Sequence, residues 1–216
     1  MDHSGFYTVL FYAVLAFEGL AALLAFVCYK KYSHTYLRFF PWLLLYTFVT
    51  EIAATFMWER FEGNVVLYNI YNIVFFLYFY FVFYKHTKSI RDRNLILIAT
   101  AIFLVSCVAN LGFSSFLENP QLLAYITGAC MLIFCIILYF VGILYTPRVL
   151  KIKTELLFWV SIGLLLFYVG YIPIKITRHF FTEIDNSYHI LRSVHRILVL
   201  IMNACFIIGF LWTRRK

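Results

Sequence analysis

Arg192, His195 and Arg196 lie within the first two turns of the last of seven apolar stretches in the chain. Steps of three and four residues return to the same helical face, so the three basic groups share one side, with Asn203 further along it. Charge at membrane depth is costly unless it is paired, hydrated or used, so such residues mark a functional site. A guanidinium presents forked donors that match two oxygens of a carboxylate or phosphate. An imidazole adds a group that titrates near neutral pH. The chemistry these residue types offer is recognition of a small anion.

Other polar residues fall at comparable depth. Glu51 lies just beyond the midpoint of the second stretch, and Asn69 and Asn72 share one face near the outer end of the third. Asn110 is near the outer end of the fourth, and Ser161, Tyr168, Tyr171 and Lys175 form a stripe on the sixth. The economical arrangement is a cavity open to the outer face. Arg192 and Arg196 make it positive, His195 is a hydrogen-bonding residue of the cavity, Glu51 is the counter-charge, and Asn69, Asn72, Tyr168 and Tyr171 orient the ligand. A structural network competes with this reading: Glu51 pairs with Arg196, Arg192 snorkels to head groups, and Asn69, Asn72 and Asn203 bond between helices. Glu18, near the midplane of the first stretch, is either a coupling carboxylate or a structural contact. Ala21, Ala22 and Ala25 follow it on one side and permit close helix approach.

The elements that position these residues follow from composition. Of 216 residues, 64% are hydrophobic and 13% charged, against about 45–50% and 25% in soluble domains. Uncharged apolar runs of about 20 residues occur at 6–29, 39–58, 65–84, 95–113, 122–145, 156–175 and 188–212. The fold class is therefore all-α: one polytopic membrane domain of seven transmembrane helices. Thirteen of the 18 basic residues fall in alternate connections or the C-terminal tail, among them Lys30, Lys31, Arg38, Lys85 and Arg93. That asymmetry places the N-terminus outside and the C-terminus in the cytoplasm. Met1-Asp2-His3 carries no basic n-region, which suits an uncleaved first span.

Helices one to three and five to seven suggest a 3+1+3 parallel repeat, with Trp42 and Trp159 each early in the middle helix of its triplet. The connection before the last helix carries Arg178, His179, Phe180, Phe181, Glu183 and Asp185. It is either an interfacial lid over the outer face or an ordinary surface loop.

Several classes are disfavoured. The net charge of +8 is a topology signal with attraction to anionic lipid, so no nucleic acid is expected. The five cysteines lie in apolar stretches without CxxC spacing, which gives no disulfide framework. No HExxH or acidic–histidine cluster supports a metal, and no lysine between Arg196 and Arg214 supports a retinal Schiff base. No GxSG motif, paired intramembrane aspartates or phosphate loop is present, and no cofactor is indicated. A nucleophile–base pair cannot be specified, which favours binding over catalysis.

The seven-span layout and aromatic texture resemble bacterial seven-helix input modules that precede kinase or cyclase domains in membrane sensors. The chain departs from them by ending at Arg214-Arg215-Lys216 without an output domain. The three-one-three plan is also similar to that of seven-helix small-solute transporters, although no substrate signature is present. Both resemblances imply a seven-helix fold with a ligand-facing cavity. The expected function is a receptor-like or accessory protein of a bacterial inner membrane. It would bind a small anionic molecule or lipid head group and act on a membrane or cytoplasmic partner or a second copy of itself. A small-solute transporter coupled through an intramembrane glutamate is the alternative, and a lipid-modifying intramembrane enzyme is third. Sparse polarity in the inner half, with little beyond Thr47, Asn203 and tyrosines, weighs against transport.

Overall fold

A computed structural model of the chain describes residues 3–61, 63–144, 152–178 and 186–213. The segment from His179 to Asp185, a lid or a surface loop by its sequence, lies outside the described residues, as do Arg148, Lys151 and the terminal Arg214-Arg215-Lys216. Among the described residues all regular structure is helical: α1 (His3–Val27), α2 (Tyr29–Tyr32), α3 (Phe40–Phe61), α4 (Val65–His86), α5 (Ile90–Leu111), α6 (Leu122–Leu144), α7 (Leu156–Arg178) and α8 (Asn186–Trp212). Seven of them are long and apolar enough to cross a membrane. These run 22 to 27 residues, about 33–40 Å of helix against roughly 30 Å of hydrocarbon.

Several helix ends lie two to five residues from those expected, and two of these shifts change where charge is placed. The fourth span begins at Ile90 rather than near residue 95. Ser89 caps it by accepting a hydrogen bond from Asp92 N at 3.3 Å, so the charged run Arg91-Asp92-Arg93 is first-turn helix rather than loop. The sixth span, which contains Pro173, continues past Lys175 to Arg178. Long basic side chains near a helix end keep their heads polar while their stems stay in the apolar layer.

The helices form two compact units. One holds α1, α2, the first turn of α3, α7 and α8; the other holds the remainder of α3 with α4, α5 and α6. Lipid is as apolar as leucine, so packing within each unit rests on close van der Waals fit and hydrogen bonds rather than on the hydrophobic effect.

In the first unit, small residues let α7 and α8 approach. A Cβ at Gly163 would stand 3.0 Å from Met202 O, and one at Gly209 would stand 2.8 Å from Trp159 Cβ. The Ala21, Ala22 and Ala25 side of α1 is buried, and α1 packs on α8. An aromatic cluster of Tyr32, Phe40, Phe206 and Phe210 closes the far end. There Lys31 Nζ donates to Phe210 O at 3.1 Å, answering one of the unpaired carbonyls at the C-terminus of α8.

In the second unit, α4, α5 and α6 meet over Phe76, Tyr80 and Phe103. Gly128 of α6 fits against the Phe76 and Phe103 rings, where a Cβ would come within 2.8 and 2.9 Å. Its carbonyl accepts from Tyr80 Oη at 2.7 Å. The remainder of α3 runs along α4 on a polar ladder. Thr47 Oγ1 meets Tyr71 Oη at 3.4 Å, Tyr68 Oη donates to Glu51 Oε2 at 3.0 Å, and Asn64 Nδ2 donates to Ala54 O at 3.2 Å. Positions 47, 51 and 54 ascend by four and three while 71, 68 and 64 descend by three and four. That is the register of two antiparallel helices presenting one face each.

Candidate functional site

The first unit gathers basic side chains where α7 ends and α8 begins. His195 stacks on Tyr171 with ring centroids 4.1 Å apart, and Phe167 stacks on Tyr171 at 5.2 Å. Residues 167 and 171 are one helical turn apart on α7, so the two rings form a single platform for the imidazole. Tyr168 is buried beside Phe167. Arg178, Lys175, Arg196 and Arg192 all act electrostatically on His195.

The four cations are held differently. Arg196 Nη1 donates to Tyr7 O on α1 at 2.8 Å, and its guanidinium lies 5.3 Å from the Phe11 ring centre. Arg192 is exposed. Lys175 is half-buried and lies in the field of Arg178. Arg178 Nη2 donates to Tyr188 Oη at 2.8 Å, and the same ring lies beneath its guanidinium at 4.7 Å. Arg178 Nε is buried and has no hydrogen-bond partner among the described residues. A buried, unsatisfied donor on a charged group costs about 1–3 kcal/mol or more. An oxyanion placed there would satisfy it and gain from the surrounding charge.

Of the expected constellation, Tyr168, Tyr171, Arg192, His195 and Arg196 belong to the first unit, and Glu51, Asn69 and Asn72 to the second. Within the second unit Glu51 is a rung of the α3–α4 ladder through Tyr68. Asn69 is committed to the α5–α6 connection: its Nδ2 donates to Phe116 O and Asn119 O at 2.9 and 3.1 Å, and its Oδ1 accepts from Gln121 N at 3.2 Å. Asn72, one turn further along α4, makes no hydrogen bond to any described residue and lines a cavity. Asn203 was expected to bond between helices but donates to Val199 O of its own helix at 3.0 Å. Its side chain takes the i−4 carbonyl because that acceptor is already within reach on the same turn.

Glu18 is buried on α1, with 5% of its surface exposed. Among the described residues no three His, Cys, Asp or Glu side chains converge to hold a metal ion.

The residue that reasoning from sequence left out of the site is Arg178. It reads as part of a connection because Lys175 and Arg178 interrupt the apolar run. Its spacing from Tyr171 and Lys175, seven and three residues, places it on their face once α7 is extended by one turn. Comparison with protein-family models, curated proteins and solved structures gives no match.

Proposed function

We propose that the basic end of α7 and α8 binds a small anion, a carboxylate or phosphate supplied free or as a lipid head group, and that the protein acts as a membrane receptor or accessory subunit. The observation that carries this is Arg178, whose buried Nε lacks an acceptor among the described residues while Tyr188 holds the rest of the guanidinium in place. Lys175, His195 and Arg196 add positive potential or hydrogen-bonding capacity around it. The proposal includes the orientation given by the basic connections, with this end of α7 and α8 outside, and the three-one-three helix plan.

The test uses full-length protein in nanodiscs of neutral lipid, titrated with inorganic phosphate or acetate, and a parallel preparation containing phosphatidic acid. Ligand that binds only the folded state stabilises it by RT ln(1 + [L]/Kd), about 2.7 kcal/mol at one hundred times Kd. A saturable rise in thermal midpoint is expected in at least one arm, and the arm that responds distinguishes a free anion from a head group. Arg178→Gln should abolish the rise. Arg178→Lys should retain a smaller one, since a point charge replaces the fork. An equal rise in wild type and Arg178→Gln, or none in any arm, sinks the proposal.

The burial of Glu18 within a span supports a second reading, solute transport coupled through that carboxylate. Uptake of labelled phosphate into proteoliposomes that is lost in Glu18→Gln would favour it over a binding-only role.

A further inference from the structure

Within the second unit, a cavity of about 420 Å³ lies among α4, α5 and α6 and the connection from α5 to α6. That size is within the range of pockets that take a small ligand. Phe76 and Phe103, both fully buried, line it together with Gln121 of the connection. Val108 and Leu111 form its rim on α5, with 71% and 54% of their surfaces exposed. Both are apolar residues of a membrane span, so the opening meets hydrocarbon rather than water.

The polar groups lining it are not equivalent. Asn69 and Gln121 spend their amides on the connection between α5 and α6. Asn72 makes no bond to a described residue, which leaves one amide facing an otherwise carbon-lined space. Among the described residues no charged side chain lines the cavity. Asn72 is seven residues along α4 from Val65, about 10 Å from the start of the helix. A neutral polar group reaches that depth at modest cost, whereas a phosphate or carboxylate there would need a cation.

We infer that this cavity holds the hydrocarbon chain of a neutral single-chain lipid, with the Asn72 amide hydrogen-bonded to a hydroxyl or ester carbonyl at the head of that chain. The lipid enters sideways from the bilayer between α4 and the Val108–Leu111 rim. Such a site is independent of the basic end of α7 and α8 and takes a ligand of opposite character, uncharged and mostly hydrocarbon.

The experiment photolabels the full chain in detergent micelles with a diazirine-bearing monoacylglycerol and, separately, a diazirine-bearing alkane of the same length. Labelled peptides should concentrate in 72–76 and 103–111, and unlabelled monoacylglycerol should compete. Asn72→Leu keeps the space and removes the amide. It should lower monoacylglycerol capture at least threefold and leave alkane capture unchanged. Cys107→Trp fills the cavity and should lower capture of both probes. A readout that needs no substitution accompanies these: monoacylglycerol should slow modification of Cys107, a lining residue, by a lipid-soluble maleimide. Three outcomes overturn the inference: labelling at 103–111 no stronger than on exposed lipid-facing residues such as Val9 and Phe56, monoacylglycerol capture unaltered by Asn72→Leu, or Cys107 unprotected.

Discussion

At Asn110 one amide joins two elements of the second unit. Its Nδ2 donates to Gln121 Oε1 at 2.6 Å, and its Oδ1 accepts from Ala124 N, in the first turn of α6, at 3.2 Å. Gln121 in turn donates through Nε2 to Ser115 O and Asn119 O. The connection from α5 to α6 is therefore held by a chain of buried amides in which each member orients the next. Replacing Asn110 by leucine strands Gln121 Oε1 and Ala124 N, at about 1–3 kcal/mol for each buried group left unpaired. Asn72→Leu strands nothing among the described residues and should be close to neutral. Thermal unfolding of the two variants in one detergent checks this, with a clear drop for Asn110→Leu and little change for Asn72→Leu. Equal losses would mean that the amide chain does not hold the connection. In sequence Asn69 and Asn72 look alike, two asparagines one turn apart on α4. What separates them is a loop about 50 positions further on, which reaches only Asn69, and no periodicity within α4 encodes that.

Between elements, the decisive contacts in the first unit are made by residues with no side chain to offer. Gly163 and Gly170 are seven residues apart on α7 and both face α8, but they differ in what a methyl group would meet. At Gly163 the obstacle is Met202 O, a helix backbone atom, at 3.0 Å, together with Cys205 Cβ. At Gly170 it is the Cδ atoms of Leu198 at 2.9 Å, the far end of a side chain that can rotate. Gly163→Ala should therefore cost about 1–3 kcal/mol, the usual range for overpacking, and Gly170→Ala distinctly less. Thermal midpoints of the two variants measure the difference, and the reverse order would count against backbone approach as the basis of the α7–α8 fit. The helices themselves were legible because the hydrocarbon layer imposes about 20 apolar residues per span whatever their partners. Their ends were less so. Ser89 capping the run Arg91-Asp92-Arg93 and Arg178 prolonging α7 both put charge inside a helix, where a hydropathy scan reads a loop. That is also why Arg178, now at the centre of the proposed anion site, was missed. The pairing of helices into units was not legible, because it depends on glycine approach and on ladders such as Glu51–Tyr68 rather than on total hydrophobicity.

For the molecule as a whole, the number of spans constrains its sidedness. On the proposed topology the seven helices long and apolar enough to span among the described residues all cross, an odd number, which puts the two ends of the described chain on opposite faces of the bilayer and makes successive connections alternate. The segment from Ser33 to Phe39 and the turn from Thr87 to Ser89 then share one side, and the stretch from Gly112 to Gln121 lies on the other. Lys30, Lys31, Arg38, Lys85, Lys88, Arg91 and Arg93 all cluster at the first side, whereas Glu118 sits in the second. In the proposed orientation, retention of lysine and arginine in the cytoplasm makes the first side internal. Cysteines placed by Lys88→Cys and Ser115→Cys, in a chain whose five native cysteines are replaced by serine, test this with a membrane-impermeant maleimide. Ser115→Cys should react in intact cells and Lys88→Cys only after permeabilisation. Replacing Lys85, Lys88, Arg91 and Arg93 together by glutamine should send part of the population in the opposite sense, seen as Ser115→Cys molecules that no longer react. The same labelling bears on function, because the proposed alternation assigns the end of α7 and the start of α8 to the same side of the bilayer as Ser115. If Ser115→Cys is protected in intact cells, an anion reaching Arg178 must come from the cytoplasm, and a receptor for external solutes is no longer tenable.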